Sequence, residues 1–410
     1  MSNVTRLTQT GRLRDATAAI QRALGGPRTA PASDAHHPQT PGAPFRAAEP
    51  PAAASPDHDA LVIDVSARVI VDDAPVTTTR TKSFTTPEVE PAIAPAPEPA
   101  APPASKPRVN RPNTGCFIDG RFGNAAGSRP YKLFVPGGMH AQVPGLPLVV
   151  MLHGCKQNPE DFAAGTLMNE LAQAQGWVVL YPGQERASNP MGCWNWFQEG
   201  DQQRDGGEPA ILAGMTGQII DTYDIDPRRV YVAGLSAGGA MAAILATIHP
   251  ELFAAAGIHS GLPHAAANDV ASALRAMKHG PRAGVSGAPA RTRRSAPTIV
   301  FHGDRDKTVH PDNGHEVIAQ ARNGTSTAVP GSDPDSVRGE VPGGHRFTRT
   351  VHRDSRGRCD AEHWVVHGSG HAWSGGSPKG SYTDPLGPDA SREMLRFFAE
   401  HPLTDDDTAA

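Results

Sequence analysis

The stretch VYVAGLSAGGAMAAILATI, from Val230 to Ile248, contains no charged residue and decides between two very different folds. It is close to the roughly 20 apolar residues that a helix needs to cross a bilayer. The run is interrupted, however, by Gly234, Ser236, Gly238 and Gly239, at positions where a spanning helix would favour Leu or Ile. We therefore interpret it as a β-strand (VYVAGL), a tight turn (SAGG) and a buried helix (AMAAILATI).

The turn in this stretch matches the pattern G-x-S-x-G, with Ser236 at its centre. In that pattern the serine occupies a strained turn between a strand and a helix. We expect the flanking glycines to be required, because a Cβ atom there would collide with the neighbouring strand and helix. A helix N-terminus after the serine favours developing negative charge. Small-residue turns produce G-x-S-x-G by chance, but a preceding β run and a following apolar helix predict that Ser236 is a nucleophile.

A serine hydroxyl needs a base that takes its proton and an acid that orients the base, in the chain order Ser, Asp or Glu, His. The run PTIVFHG is followed by DRDKTV, and the pattern HGxxDxxV favours Asp306 as the acid, with Asp304 as a cap or brace of the loop. His371, in the Gly-rich segment GSGHAWSGG, follows the last predicted strand. The rival His367 ends that strand, where the sheet would direct its side chain. The predicted catalytic residues are Ser236, Asp306 and His371.

Two backbone N–H groups are predicted to bind the oxyanion of the reaction. One belongs to Ala237, directly after the nucleophile, and the other to Cys155 in the segment HGCKQ that follows the strand LPLVVML. Cys155 is itself a conceivable nucleophile, but no His or Asn pattern supports a cysteine enzyme. We interpret Cys155 as a small packing residue whose backbone N–H helps to bind the oxyanion.

Aromatic residues are scarce, at 5% of the chain, yet they cluster in the segments CWNWF and GHAWSGG. From these segments Trp194 and Trp373 are predicted to contact the substrate, Trp373 because it lies two residues beyond His371. Trp196 and Phe197 fit the core and a substrate pocket equally well.

The apolar runs of the second half predict an α/β fold with a mostly parallel central sheet and helices on both faces. These runs are LPLVVMLHG, GWVVLYP, VYVAGLS, FAAAGIHSG, PTIVFHG and EHWVVHGSG. The segment YKLFVP is predicted to add an antiparallel edge, and RFTRTVHRD to form a hairpin with EHWVVHG. Reactive groups collect at the carboxyl ends of the strands in such sheets.

The remaining sequence divides the chain into four parts. Residues 1–26 predict a short helical hairpin, residues 27–112 a disordered Pro/Ala-rich linker, residues 113–402 the catalytic domain, and residues 403–410 a disordered tail. Within the linker, LVIDVSARVIVDD (residues 61–73) alternates like a short strand.

Charge and cysteine usage exclude several classes of function. A net charge of −4 gives no general attraction to nucleic acid or acidic membranes. The four cysteines form no CxxC pair and no zinc-type arrangement with histidine, so neither a metal nor another cofactor is predicted. The N-terminal segment lacks the continuous apolar run of a secretory signal, which predicts a cytoplasmic protein with reduced thiols. A disulfide would count against that location.

Six segments in order resemble the polyhydroxybutyrate depolymerase family of esterases, which groups with feruloyl and acetylxylan esterases. They are LHGCKQNPEDFAAGTLMNELA, CWNWF, GGEPAILAGM, GLSAGGAMAAILA, HGDRDKTV, and GHAWSGG with SYTDPLGPDAS. The resemblance covers about residues 115–402 and implies an α/β-hydrolase with Ser236, Asp306 and His371 as its triad. One departure lies after Arg204, where the chain reads DGGE and the family often has Arg-Gly before Gly-Glu.

These features predict a serine ester hydrolase that works through an acyl-enzyme on short-chain hydroxyacyl esters or oligomers. Degradation of external polymer is disfavoured, because secreted members carry signal sequences and often substrate-binding modules. The alternatives are a feruloyl or acetyl esterase, a peptidase or acyltransferase on the same fold, and a non-catalytic protein that binds granules or partners through its N-terminal helices. No nucleic-acid or membrane partner is expected.

Overall fold

The computed structural model describes residues 115–140, 143–280, 296–323 and 335–404. The predicted hairpin (residues 1–26), the linker (27–112) with its strand-like segment (61–73), and residues 405–410 of the predicted tail lie outside the described residues and stay predictions. Leu403 is buried, and its N–H donates to the carbonyl oxygen of Arg228 over 2.8 Å. The folded part therefore includes this residue beyond the predicted boundary at 402.

The central feature is a ten-stranded sheet with the strand order β1-β2-β4-β3-β5-β6-β7-β10-β9-β8. Its strands are β1 (Cys116–Asn124), β2 (Gly127–Val135), β3 (Leu146–Leu152), β4 (Val178–Pro182), β5 (Ile225–Leu235), β6 (Ala255–His259), β7 (Thr298–Gly303), β8 (Asp335–Glu340), β9 (Arg346–Arg353) and β10 (Cys359–Val366). A separate short pair is formed by β11 (Trp373–Ser374) and β12 (Thr383–Asp384).

The strand directions confirm the predicted parallel centre and correct one edge. Strands β3 to β7 and β10 run parallel, and β9 pairs antiparallel with β10 as the predicted hairpin. The segment YKLFVP lies in β2, which is antiparallel to both β1 and β4, so β2 is not the edge. Strand β1 was missed because its half-exposed sequence CFIDGRFGN lacks the apolar signal of a buried strand.

Helices cover both faces of this sheet, as predicted. They are α1 (Pro159–Thr166), α2 (Met168–Gln175), α3 (Gly207–Tyr223), α4 (Ala237–Ile248), α5 (Val270–His279), α6 (Asp312–Asn323) and α7 (Ala390–Ala399). Alternate residues of a strand point to opposite faces. Leu148 and Val150 accordingly pack with residues of α3 to α6, whereas Val149 and Met151 pack with residues of α1, α2 and α7.

Helix α4 answers the question that its apolar sequence raises. It is 12 residues long and buried along its whole length except at Thr247. Among the described residues, no helix is long and apolar enough to cross a membrane. The run is therefore a core helix packed on the sheet, and its N-terminus lies at the carboxyl end of β5, where parallel strands of this sheet end together.

Candidate active site

Ser236 lies between β5 and α4 in a backbone conformation that non-glycine residues rarely adopt. Its φ is 57° and its ψ is −118°. Two hydrogen bonds hold the residue there, from its own N–H to the carbonyl oxygen of His259 and from the N–H of Ala240 to its own carbonyl oxygen, both over 2.9 Å. A backbone strained in this way persists only where its surroundings enforce it. The predicted strained turn is confirmed.

The two glycines of the motif are required by close packing, as the sequence predicts. A Cβ atom on Gly234 would collide with the backbone of Gly238 in the first turn of α4. A Cβ atom on Gly238 would in turn collide with the carbonyl oxygen of Leu152 and lie 2.6 Å from that of His153. These contacts bring the turn against the end of β3, beside the segment HGCKQ.

The structure brings Asp306 and His371 into direct contact, with 2.6 Å between Asp306 Oδ2 and His371 Nδ1. Asp306 Oδ1 accepts from the N–H groups of Thr308 and Val309 over 2.8 and 2.9 Å. His302 Nε2 lies 3.5 Å from Asp306 Oδ2. Burial of Asp306 acts to raise its pKa, but the contacts with His302 and His371 outweigh burial and hold the pKa well below its ordinary value. The carboxylate is therefore ionised and oriented towards His371.

Asp304 braces the loop that leads to His371, as its predicted role requires. Its Oδ1 accepts from the N–H of Gly368 over 2.7 Å, and its Oδ2 lies 2.9 Å from His367 Nδ1. The other ring nitrogen of His367 lies 2.9 Å from the hydroxyl of Thr348. The rival base is thus engaged with a different acid.

His259, at the end of β6, is a buried residue next to the predicted base, and the sequence did not single it out. Its Nε2 accepts from the N–H of Ser374, 2.9 Å away, and its ring stacks on that of Trp373 with 5.1 Å between centroids. Burial lowers its pKa to about 3, so the ring is neutral and can accept this bond. It holds the segment directly after His371. A polar residue that ends an otherwise apolar strand, as in FAAAGIH, was the signal available.

A disulfide joins Cys155 to Cys193, with 4.3 Å between their Cα atoms. This pair corrects the prediction of reduced thiols, whereas Cys116 and Cys359 are free. The bond ties the loop after β3 to the segment CWNWF, and the Lys156 N–H donates to the carbonyl of Met191 between the same two loops over 3.0 Å. Sequence spacing did not reveal the pair, because a separation of 38 positions between the two cysteines carries no pairing signal.

A cavity of about 220 Å³ opens beside Ser236. Its walls are mostly apolar, and the residues that matter most here are Cys155, Trp196, Phe197, Ala237, Met277 and Val309. Val309 connects the cavity with the Asp306–His371 pair, because its N–H binds Asp306. Trp196 and Phe197 occupy both locations: they line the cavity, and Trp196 is also a buried member of the core against which Phe197 packs.

The structure corrects the prediction that Trp194 and Trp373 contact substrate. Both indole rings are almost completely buried, with exposed fractions of 0% and 1%, and neither lines the cavity. The Trp194 indole N–H donates to the carbonyl oxygen of His153, and that of Trp373 donates to the hydroxyl of Ser391, each over 3.1 Å. Burial next to a motif residue could not be distinguished from exposure in a pocket by sequence alone.

A buried carboxylate, Glu208, holds the segment CWNWF in place. It accepts from the backbone N–H and the side-chain amide of Asn195 over 2.7 and 2.9 Å, and Arg129 Nη2 lies 3.2 Å away. Burial raises the pKa of Glu208. Its own N–H donates to Asp201, whose side chain occupies the space a Cβ atom on Gly207 would need. This contact explains why residue 207 is a glycine. Gly207 belongs to the segment DGGE after Arg204, where the sequence departs from the family pattern.

Comparison with known families gives a match to the esterase PHB depolymerase family over residues 129–338, just over half of the chain. The chain belongs to this family. This match confirms the family resemblance seen in the sequence motifs. The matched residues include Ser236 and Asp306 and end before His371.

Curated relatives include a poly(3-hydroxyalkanoate) depolymerase C from Paucimonas lemoignei, 33% identical over 262 residues. A feruloyl esterase B from Neurospora crassa is 30% identical over 190 residues. The first alignment covers 61% of this chain and 60% of the relative, and the second covers 43% and 64%. The chain thus spans somewhat less than two thirds of the length of the curated relatives it matches.

Among solved structures, an acetyl xylan esterase from Aspergillus awamori superimposes with a TM-score of 0.54. The alignment covers 70% of this chain and 99% of that one, at 20% identity. Together with the strand order, this likeness confirms the predicted α/β-hydrolase fold.

Proposed function

We propose that the protein is a serine carboxylic ester hydrolase that works through an acyl-enzyme, with Ser236, Asp306 and His371 as its triad. The observation that carries this proposal is the Asp306–His371 contact of 2.6 Å beside a cavity onto which Ser236 faces from a strained turn. Membership of an esterase family supports the same reaction.

The proposed mechanism follows from the orientation of these groups. Asp306 is ionised and accepts a hydrogen bond from the Nδ1–H of His371. This tautomer leaves Nε2 free to take the hydroxyl proton of Ser236 as Oγ attacks the ester carbonyl. Asp306 then stabilises the imidazolium that forms. The imidazolium returns its proton to the leaving alcohol. His371 then takes a proton from water as the water attacks the acyl-enzyme, and gives it to Ser236 Oγ as the carboxylic acid leaves.

The oxyanion of the tetrahedral intermediates is proposed to bind the N–H groups of Cys155 and Ala237. Both residues line the cavity with Ser236, and in the described ranges neither N–H has a protein acceptor. The disulfide of Cys155 holds its loop in position. One such donor contributes about 3 kcal/mol to stabilisation of the transition state.

The cavity supports a neutral acyl group as the substrate's reacting part, because none of the described residues that line it is charged. Short-chain hydroxyacyl esters or oligomers are the first candidates, in line with the hydroxyalkanoate named for one relative. A feruloyl or other aryl ester is the second candidate, favoured by the flat rings of Trp196 and Phe197 in the cavity wall. Transfer of the acyl group to an alcohol instead of water uses the same residues.

Two expectations concern regions or conditions beyond the site. A partner or granule bound through the N-terminal helices rests on residues that lie outside the described ones. The cytoplasmic location stays a prediction, and the Cys155–Cys193 disulfide weighs against it.

Matched substitutions test the proposed triad with p-nitrophenyl butyrate as the substrate. We expect Ser236→Ala, His371→Ala and Asp306→Asn each to lower kcat by about 10⁴-fold or more. The controls are His367→Ala and Asp304→Asn, which remove the neighbouring His–Asp pair and should retain activity within about tenfold. Retained turnover in Ser236→Ala, or a larger loss in His367→Ala than in His371→Ala, would refute the assignment.

A further inference from the structure

We propose that His302 is a positioning residue for the reaction, which sets the basicity of the Asp306 carboxylate through a second N–H donor. The inference rests on the proposed function, because it assigns a role relative to the Asp306–His371 pair. His302 is the penultimate residue of β7 and is 1% exposed.

The protonation of the His302 ring follows from its partners. Its Nε2 lies 2.9 Å from the carbonyl oxygen of Val309, which can only accept a hydrogen bond, so Nε2 carries the proton. The same Nε2 lies 3.5 Å from Asp306 Oδ2. The N–H therefore bonds to the Val309 carbonyl and closes the turn that holds Asp306, while Asp306 Oδ2 lies within a longer, weaker contact of the same nitrogen.

Asp306 consequently has a donor on each side of the oxygen that faces the predicted base. Its Oδ2 accepts a hydrogen bond from His371 Nδ1 over 2.6 Å. His302 Nε2 lies 3.5 Å from the same oxygen, where its N–H interacts more weakly. A donor that competes for this oxygen lowers its affinity for the proton of the imidazolium. His302 thereby competes with His371 for the Oδ2 atom of the Asp306 carboxylate.

The opposite side of the His302 ring is packed without a protein partner. Its Nδ1 is buried and unbonded within the described part of the chain. The Cα of Gly314 in α6 lies against it, so that a Cβ atom there would come within 2.9 Å of Nδ1. A methyl group at position 314 would press the ring towards Asp306 and Val309.

The other titratable groups around His302 are His259 on β6 and His363 on β10, besides Asp306 and His371 on the site loops. Burial lowers the pKa of both His259 and His363 to about 3. Both stay neutral through the pH range of an esterase assay. A change in the acid limb of the pH profile after substitution of His302 therefore reports on the Asp306–His371 pair.

The test is the pH dependence of kcat/KM with p-nitrophenyl butyrate for variants of the full chain. In His302→Asn the amide reaches only the position of Nδ1, so the donor to Val309 and Asp306 is lost. We expect its acid limb to move up by about 0.5 to 1 pH unit and kcat to fall about threefold to tenfold, as for loss of one hydrogen bond. In His302→Gln the amide reaches the position of Nε2, and the acid limb should stay close to the wild-type position.

Two further variants separate this role from a structural one. His363→Asn removes an equally buried imidazole from the next strand without touching Asp306, and should leave the acid limb unmoved. Gly314→Ala should move the limb down, because it presses the His302 donor closer to Asp306. Urea unfolding checks that each variant is folded, and either His302→Asn or Gly314→Ala suffices if the other does not fold.

The outcomes distinguish the inference from the function on which it rests. An acid limb unmoved in folded His302→Asn, or moved equally in His363→Asn, overturns the role of His302 while Ser236→Ala remains inactive. Retained turnover in Ser236→Ala, measured alongside, overturns the proposed function and this inference with it.

Discussion

At the scale of single residues, burial decides the protonation of the histidines near the site. Burial lowers the pKa of His153 to about 4 and that of His259 and His363 to about 3. Each of these buried rings is therefore neutral at neutral pH. His153 and His259 use that neutrality, because each accepts a backbone N–H through Nε2, from Gln184 and Ser374 respectively.

These histidines predict how stability depends on pH. Below the ordinary histidine pKa of 6.5 the unfolded chain binds protons that the folded chain does not, so stability falls as pH falls from 6.5 towards 4. Each group contributes about 1.4 kcal/mol per pH unit in this window. We expect His363→Asn to make the dependence of unfolding free energy on pH less steep by about this amount, measured by urea titration between pH 4.5 and 6.5. An unchanged slope would mean that His363 is already protonated in the folded protein.

At the residue scale, the sequence singled out those residues that stand in a recognisable local motif. Ser236, Asp306 and His371 each stand in a motif whose neighbours in the chain mark them. His259 is a single polar residue at the end of an apolar strand, and its partner Ser374 is fixed only when that strand meets the loop after His371. His302 stands in the same HGxxDxxV pattern as Asp306, but the pattern by itself does not reveal the contact between the two side chains. Trp194 and Trp196 stand two residues apart in one motif and are both buried, so only the packing shows that Trp196 also lines the cavity.

At the scale of elements, the junction of β3, β5 and α4 is the tightest contact on which the site depends. We expect Gly238→Ala to lower stability by about 1–3 kcal/mol and to reduce kcat, because its Cβ would press on the carbonyl oxygens of Leu152 and His153 and displace the turn. Gly217→Ala is the matched control, since nothing lies within 4 Å of a Cβ atom at that helical position. It should be neutral or stabilising by up to about 1 kcal/mol. Equal urea midpoints for the two variants would contradict the packing argument.

The sheet shows why some elements were predictable and others were not. Strands β3 to β7 and β10 are covered by helices on both faces, so each contains a buried apolar run that stands out in the chain, even where β5 and β10 carry polar residues near their starts. Strands β1 and β8 lie at the two edges of the sheet. Strand β1 is about half exposed and β8 is mostly exposed, as a polar surface segment would be. Exposure removes the apolar signal, and pairing with a neighbouring strand supplies the remaining stability.

At the scale of the whole molecule, the Cys155–Cys193 disulfide joins two loops that are far apart in the chain and adjacent at the cavity. Closing a loop across 38 residues is expected to stabilise the fold by about 4 kcal/mol. We expect Cys155→Ser with Cys193→Ser to lose stability of this order and to lower kcat, because the loop carrying the proposed Cys155 donor loosens. Cys116→Ser, at a free cysteine, is the control for urea unfolding.

The same pair gives a direct measurement on the intact protein. Alkylation of the unreduced, denatured chain followed by mass spectrometry should modify two of the four cysteines, Cys116 and Cys359. Modification of all four would show that the thiols are reduced and would support the predicted cytoplasmic location.

The sequence by itself determined the fold class, the positions of the buried strands along the chain and the strained turn, and it predicted a triad. Those features depend on periodicity, on glycine at positions without room for a Cβ, and on motif order, all of which are local to the chain. Only the tertiary structure decided which tryptophan lines the cavity, which cysteines pair, and which buried histidine accepts from the segment that follows His371. Those depend on contacts between segments tens to hundreds of residues apart, and such contacts leave no mark on the local pattern of either segment.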